Sequence, residues 1–179
     1  AIEEDIGAAL PEGYSSEICL RQPAWLGALA GVLGRGLALF TDYGYSRREY
    51  YHPQRTAGTL ACHYRHHWHA DPFFLPGLQD ITAWVDFSAA ASAASAAGLS
   101  IAAYTTQAHF LLATGILQEM EADVARDQGQ SPAQLQARAA ELRRLLMPGE
   151  MGERFKLLAL TRDFAPLGDL TVRDMRPAL

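Results

Sequence analysis

The sequence CHYRHHWHADPFFLPGLQDITAWVDF, residues 62–87, contains one cysteine, four histidines and three aspartates. So many ionisable and aromatic side chains are not typical of a buried core element, so this segment is the first candidate for a functional region. One apolar segment precedes it, GLALFTDYGY at residues 36–45, and another follows it, MGERFKLLALTR at residues 151–162. These three segments determine both the fold class and the candidate site.

The apolar runs predict three strands. Residues 37–41 form a short continuous apolar run that opens into Asp42-Tyr43-Gly44, which is typical of a strand buried on both faces. Residues 99–105 alternate apolar and small polar side chains, and residues 155–161 form a third apolar run. With helices between these strands, the chain is predicted to fold as a mixed α/β sheet.

Helical spacing and capping residues predict the intervening helices. One has apolar residues at helical spacing over residues 25–33, and Pro23 suits its first turn. An alanine-rich helix begins after a cap at Asp86 or Ser88 and ends at residue 97. A third is predicted over residues 107–120. The sequence Ser131-Pro132-Ala133-Gln134 has the form of a capping box and predicts the start of a fourth.

Length and composition limit the domain organisation and the function class. With 179 residues and 49% hydrophobic residues the chain is predicted to be a single domain, residues 1–179. Within it, residues 45–86 are predicted to be a long loop insertion on the substrate side. The overlapping loop at residues 43–59 is expected to be exposed and irregular. The net charge of −5 argues against nonspecific nucleic-acid binding, and two distant cysteines fit a reducing compartment.

No apolar run reaches the length of about 18 residues that a membrane span requires, so no membrane partner is expected. The amino-terminal sequence AIEEDIG is acidic, unlike the basic start of a signal peptide. These features, with the high alanine content, favour a location in a bacterial cytoplasm.

The ordered motifs DYG, HADPF, PG-QDIT-VDF and MG-RFK, within residues 15–162, carry a family resemblance. In this order they resemble the carboxy-terminal half of the MidA-like methyltransferases, which use S-adenosylmethionine and include a mitochondrial complex I assembly factor. The resemblance implies that the chain is a partial domain contributing the last three strands of a Rossmann-like class I methyltransferase sheet. It also implies that residues 155–161 lie antiparallel between the other two strands.

The resemblance further implies what is missing. The family's glycine-rich cofactor turn follows its first strand, which would lie upstream of this sequence. The close glycines found here, Gly31, Gly34 and Gly36, precede a strand, whereas a nucleotide-binding turn needs glycines after one. We therefore expect no cofactor-binding residue in this chain and no activity of the chain alone.

The histidine-rich stretch has two interpretations. Cys62 and the histidines are chemically suitable zinc ligands, so a metal-dependent hydrolase is one hypothesis. However, four histidines within seven residues do not easily converge on one ion, and no second pair of ligands is found elsewhere in the sequence. The favoured interpretation is a structured loop with stacked rings, in which His66 and Asp71 orient each other or a substrate, and no metal site.

The aspartates also have alternative roles. Asp42 and Tyr43 follow a strand, where ligands bind in open α/β sheets. Asp71 precedes Pro72 and suits a turn, and Asp86 suits a helix cap. Asp80 is either a cap or a carboxylate that binds a guanidinium.

One branch of the resembled family methylates a protein arginine, and this implies acidic catalytic residues. The catalytic candidates are Asp42, Asp80 and His66, and the substrate-binding candidates are Tyr43, Asp71 and Gln107. A protein substrate is the expected partner, and an exposed sheet edge predicts a homodimer. The main alternative is a protein-binding or assembly module without chemistry.

Overall fold

The structure is a computed structural model that describes residues 2–127, 129, 131–166 and 168–179. Its strands are β1 Gly36–Tyr45, β2 Ala61–Tyr64, β3 His67–His69, β4 Asp80–Thr82, β5 Val85–Asp86, β6 Ser100–Thr106 and β7 Phe155–Arg162. Its α-helices are α1 Ile2–Ile6, α2 Gln22–Val32, α3 Arg47–Tyr50, α4 Phe87–Ala96, α5 Gln107–Ala113, α6 Ile116–Arg126, α7 Pro132–Leu146 and α8 Met151–Arg154. A 3-10 turn covers Arg176–Ala178.

The main sheet has the strand order β5-β1-β7-β6. Strand β7 pairs antiparallel with β1 on one side and with β6 on the other. The antiparallel placement of residues 155–161 between the other two strands is therefore confirmed. The six inner residues of β7 are all buried, because helices and the carboxy-terminal segment cover both faces of the sheet, and this explains the continuous apolar run.

The main core lies between this sheet and helices α2 and α4. Its largest fully buried side chains are Tyr104, Phe87, Leu26, Leu158 and Leu160. A smaller cluster on the opposite face includes Leu157. Burial of these side chains supplies most of the stabilisation of the sheet, at roughly 25 cal/mol for each Å² of apolar surface.

Polar side chains form hydrogen bonds at the ends of the two core helices, α2 and α4. The Asp86 carboxylate accepts a hydrogen bond from the Ala89 amide at 2.9 Å, so the predicted cap at Asp86 is confirmed. At the other end, the Arg162 guanidinium donates to the Ala30 carbonyl in α2 and to the Ala97 carbonyl after α4. A cation at both carboxyl ends is favourable because it complements the helix dipoles.

Two other helix predictions had different outcomes. The capping box at Ser131 and Gln134 is present, so the start of α7 is confirmed. The predicted helix over residues 107–120 is instead two helices, α5 and α6. Gly115 separates them with φ of 90°, a left-handed conformation that interrupts a continuous helix.

The prediction of an exposed, irregular segment at residues 43–59 was partly wrong. Strand β1 continues to Tyr45, and α3 follows directly. Tyr50 and Tyr51 at its end are buried at 2% and 4% exposure, packed against Ile6 of α1. The local sequence does not indicate this burial, because the amino-terminal helix that covers the two tyrosine rings is distant in sequence.

A second, small sheet has the order β3-β2-β4 and is antiparallel throughout. A two-residue turn, Arg65-His66, joins β2 to β3, and both residues have positive φ, 48° and 67°. These angles correspond to a type I′ hairpin turn, which usually contains Asn or Gly. The sequence prediction of a loop with stacked rings was too coarse for this segment.

The carboxylate of Glu17 attaches the loop before β2 to the amino-terminal segment. It accepts hydrogen bonds from the Thr59 amide, the Thr59 hydroxyl and the Leu60 amide, at 3.0–3.1 Å. Gly58 has φ of 72°, and a Cβ there would lie 2.2 Å from the Glu17 carboxylate. The loop therefore requires both a carboxylate and a glycine in this place.

One edge of the main sheet is open. On the side away from β7, strand β1 pairs only at Gly44 and Tyr45, with β5, so residues 36–43 have no partner strand there among the described residues. Trp25, Leu39 and Tyr43 are about half exposed beside this edge. In the part of the chain that is described, no helix is long and apolar enough to cross a membrane.

Candidate functional site

A groove of about 1190 Å³ lies where the carboxyl end of β1 meets the small sheet. Strand β1 contributes Tyr43 and Tyr45, and α8 contributes Arg154. The remaining lining residues come from the insertion: Ala61, His63, Arg65, His66, Asp80, Ile81, Thr82, Ala83 and Trp84. Loops and strand ends from distant parts of the sequence thus form one concave surface, as is common for ligand sites.

Three of the six predicted site residues, Tyr43, His66 and Asp80, line this groove. Asp80 is exposed at the start of β4, where it lies opposite His63 of β2. Asp80 caps no helix among the described residues. Its position in the groove is consistent with the other predicted role, a carboxylate that binds a guanidinium. The Tyr43 ring packs against Phe155 with ring centres 4.3 Å apart, which fixes its position in the groove wall.

Asp42 lies on the other face of the sheet from Tyr43. Successive strand residues point to opposite faces, so the two neighbours cannot serve the same groove. Asp42 instead borders a separate, mostly apolar pocket of about 390 Å³ with Trp25 and Phe40. Its carboxylate accepts a hydrogen bond from the Tyr43 amide at 2.7 Å.

The structure places Asp71 and Gln107 outside both pockets. Asp71 accepts a hydrogen bond from the Phe73 amide at 2.9 Å, which is the turn role that was its alternative interpretation. Gln107 is buried at the start of α5 and donates to the Leu145 carbonyl at 3.0 Å. That bond joins α5 to α7 and leaves the amide group little access to a ligand.

A cation and two aromatic rings support one end of the groove. The Tyr45 and Trp84 rings lie 5.0 Å apart, and the Arg55 guanidinium carbon lies 4.9 Å from the first ring centre and 5.3 Å from the second. Such a guanidinium is attracted by the negative faces of the rings. Its buried Nε has no hydrogen-bond partner among the described residues.

Lys156 approaches the same tyrosine, with Nζ 5.3 Å from the Tyr45 ring centre. Burial lowers the pKa of Lys156, and the negative charges of Glu49 and Glu153 partly oppose this shift. The ammonium also donates to the Glu153 carbonyl. The rings at the base of the groove therefore contact two cations of this chain.

The histidines do not converge on a common point. His63 and His66 line the groove, whereas His69 packs edge-on against Phe74 with ring centres 5.2 Å apart. Both ring nitrogens of His69 are buried without a hydrogen-bond partner among the residues described. Within the described ranges, no three His, Cys, Asp or Glu side chains are placed to hold a metal ion.

Arg65, Arg154, Trp84 and Arg55 were not among the predicted site residues. The HYRHH sequence offered one signal for Arg65, since a two-residue hairpin turn would have placed it at the tip. Arg154 offered none, because only the tertiary fold brings α8 next to β1.

The fold has solved counterparts. A crystal structure of an uncharacterized protein from Burkholderia thailandensis superposes with a TM-score of 0.84 and 41% sequence identity, over 95% of this chain and 45% of that chain. A second structure from the same organism, described as a "likely methyl transferase" bound to S-adenosyl-homocysteine, gives 0.82 and 42%, over 95% and 43%. The fold is therefore that of a methyltransferase-like α/β protein.

The chain belongs to the family described as "Putative S-adenosyl-L-methionine-dependent methyltransferase", whose model matches residues 1–105. The cofactor of this family is S-adenosylmethionine. The chain spans less than half the length of the two solved structures. Comparison with curated proteins gave no match.

The three closely spaced glycines do not have the arrangement of a nucleotide-binding turn. Gly31, Gly34 and Gly36 lie in and after α2 and lead into β1, rather than after a strand and before a helix.

Proposed function

We propose that this chain is the acceptor-side part of a methyltransferase that modifies an arginine of a protein substrate. The observation that carries the proposal is the groove, where aromatic rings and one carboxylate occur together. Tyr45 and Trp84 already hold the guanidinium of Arg55, so this surface is chemically suited to such a group. Asp80 supplies a carboxylate for a second guanidinium.

The roles follow from the chemistry of methylation. S-adenosylmethionine supplies the methyl group, and the enzyme has to align the acceptor nitrogen and receive its proton. In the proposed site Asp80 localises the guanidinium charge and accepts the proton, while Tyr43 and His66 position the acceptor. Asp42, Asp71 and Gln107 have no part in this groove.

Transfer of labelled methyl groups to arginine peptides tests the proposal. The enzyme is the longer protein that contains this chain, and matched lysine peptides serve as the substrate control. We expect Asp80→Asn to lower kcat/KM by about a hundredfold, as for loss of a general base, and Arg144→Gln on the exposed face of α7 to leave it unchanged. Equal methylation of the lysine peptides would contradict the proposal.

We also propose that the 179-residue chain is inactive alone, because the described residues lack a glycine-rich turn between a strand and a helix. Calorimetric titration of S-adenosylmethionine should show binding to the longer protein and none to this chain. Tight binding by the chain alone would show that the cofactor site has been misplaced.

The open edge of β1 supports a further proposal, that isolated chains form homodimers by pairing residues 36–43. Unpaired strand edges readily recruit another strand. Sedimentation should show a dimer that Leu39→Lys, at the half-exposed edge position, converts to a monomer. A wild-type chain that stays monomeric at high concentration would contradict this proposal.

Exposed apolar side chains favour a second candidate function, a protein-binding or assembly module. Trp68, Phe73 and Leu78 in the insertion are 64%, 83% and 69% exposed, which is typical of a docking surface. Failure of the longer protein to bind S-adenosylmethionine would favour this alternative. For either function we propose a bacterial cytoplasmic location, supported by two cysteines that are both free.

A further inference from the structure

We propose that the groove binds an acidic stretch of the protein substrate, next to the residue that receives the methyl group, through Arg65 and Arg154. This inference rests on the proposed function, because it names the kind of substrate that the same site accepts. It concerns the neighbours of the acceptor rather than the acceptor itself, so binding can be measured without methylation.

The charge of the groove supports an anionic ligand. Its lining contains two guanidinium groups and one carboxylate, Asp80, although the whole chain carries a net charge of −5. A locally positive surface on an acidic protein attracts acidic segments and repels basic ones. Asp80 remains available for the single cationic acceptor.

Neither arginine has a carboxylate partner among the described residues, although the Arg65 guanidinium lies over the Tyr64 ring, 5.4 Å from its centre. Arg65 and Arg154 are both exposed. By contrast, Arg47 and Arg176 are paired with Asp5 and Asp174. Unpaired guanidiniums can bind carboxylates with two parallel hydrogen bonds.

The hairpin turn gives an independent reason to assign Arg65 to a ligand. Arg65 and His66 both adopt left-handed backbone conformations, with φ of 48° and 67°. Asn and Gly are the residues that this turn favours, so arginine and histidine occur there against local preference. Residues with such unfavourable backbone conformations concentrate at ligand sites, and these two line the groove.

The backbone next to these charges also suits a peptide. Strand β4, residues Asp80–Thr82, is exposed along its length and pairs only with β2 among the strands described. Its other edge therefore has free backbone groups on the border of the groove. An extended acidic peptide can add to such an edge while its side chains reach the arginines.

Fluorescence anisotropy with short labelled peptides tests this inference. Each peptide carries one central arginine, flanked by glutamates, glutamines or lysines, and a single-stranded DNA of similar length serves as a competing polyanion. We expect the full 179-residue chain to bind the glutamate peptide, and to bind the glutamine and lysine peptides weakly or not at all. The affinity for the glutamate peptide should fall with added salt. No cofactor is needed, so a failure here leaves the methylation proposal standing.

Variants locate the binding. We expect Arg65→Gln and Arg154→Gln each to weaken binding about threefold to fivefold, whereas Arg144→Gln on α7 has no effect. The double change Arg65→Asn with His66→Gly gives the turn its preferred residues, so it should keep or raise the melting temperature while it weakens binding. An unchanged melting temperature together with weaker binding would show that these two residues act on the ligand rather than on the stability of the turn.

Three results would overturn the inference. The first is equal binding of the glutamine peptide, and the second is unchanged affinity in both single arginine variants. The third is DNA binding as tight as peptide binding, which would show general attraction of polyanions.

Discussion

The main sheet and the insertion after β1 are held together in different ways. In the sheet, Leu158, Leu160 and Tyr104 are buried at 1% exposure or less, and apolar contact dominates. In the insertion, the Glu17 carboxylate and the Arg55 guanidinium hold short strands whose surface remains open. The difference shows that a sheet stabilised by apolar burial can position an inserted segment that is held by only a few polar contacts and that forms the candidate site.

This division has a consequence for mutation. Changes in the sheet should lower the stability of the whole chain, because a cavity in a packed core is not refilled. Changes at the anchors should loosen the groove first, since regions with few buried contacts open locally.

The largest expected effect is in the sheet. Leu158→Ala should lower the free energy of unfolding by about 3 kcal/mol, through lost burial and the cavity left behind. Urea denaturation measures this loss. The matched control is Leu39→Ala at the open edge of β1, expected to change stability by less than about 0.5 kcal/mol because Leu39 is 45% exposed. Equal losses in the two variants would remove the distinction between core and edge.

The anchor of the insertion ranks second. Glu17→Ala leaves the amides of Thr59 and Leu60 without their acceptor, at a cost of about 2 kcal/mol. We expect faster hydrogen exchange at these two amides, while exchange in β7 remains slow. The exposed Glu12→Ala is the control. If exchange in β7 rises equally, the insertion and the sheet unfold as one unit.

Alkaline pH should act on a buried tyrosine in each of the two regions. Burial raises the pKa of Tyr51 in the insertion to about 12, from an ordinary value of 10.0. Above pH 10 the unfolded chain loses this proton and the folded chain keeps it, so stability falls as pH rises from about 10 to about 12.

Tyr104 in the sheet has its pKa raised by the same cause, burial. The fall in stability above pH 10 should therefore be shallower in both Tyr51→Phe and Tyr104→Phe, as measured by urea titrations at several pH values. A slope unchanged in both variants would show that neither tyrosine resists ionisation in the folded chain.

The smallest effect is a gain near neutral pH. The Tyr104 hydroxyl is buried without a hydrogen-bond partner among the described residues, so Tyr104→Phe should raise stability by about 1 kcal/mol. The Tyr51 hydroxyl donates to the Glu17 carbonyl at 3.4 Å, so Tyr51→Phe should give no such gain. A loss of stability in Tyr104→Phe would indicate a water that satisfies the hydroxyl.

The sequence predicted the sheet better than the insertion for a physical reason. Strand β7 and the cap at Asp86 have local signals, a continuous apolar run and a carboxylate before a helix. Strands β2 to β4 are three or four residues long and rich in polar rings, so they show no clear alternation. Glu17, which anchors them, is 42 residues away from Thr59.

The same limit applies to the site. The separation of Asp42 from Tyr43 follows from the two-residue period of a strand, and could have been foreseen once β1 was extended to Tyr45. The meeting of Tyr43, His66 and Asp80 in one groove was not foreseeable, because it depends on how the hairpin packs against β1. Tertiary packing also brings in Arg154.

The position of β7 has a consequence for synthesis of the chain. This strand is made last, yet it lies between β1 and β6, which share no hydrogen bonds with each other. A nascent chain that ends before Phe155 therefore has β1 paired only with β5, and β6 without a partner strand in the main sheet. The central pairing of the sheet therefore forms only after β7 has left the ribosome, and until then the unpaired strand edges are open to aggregation.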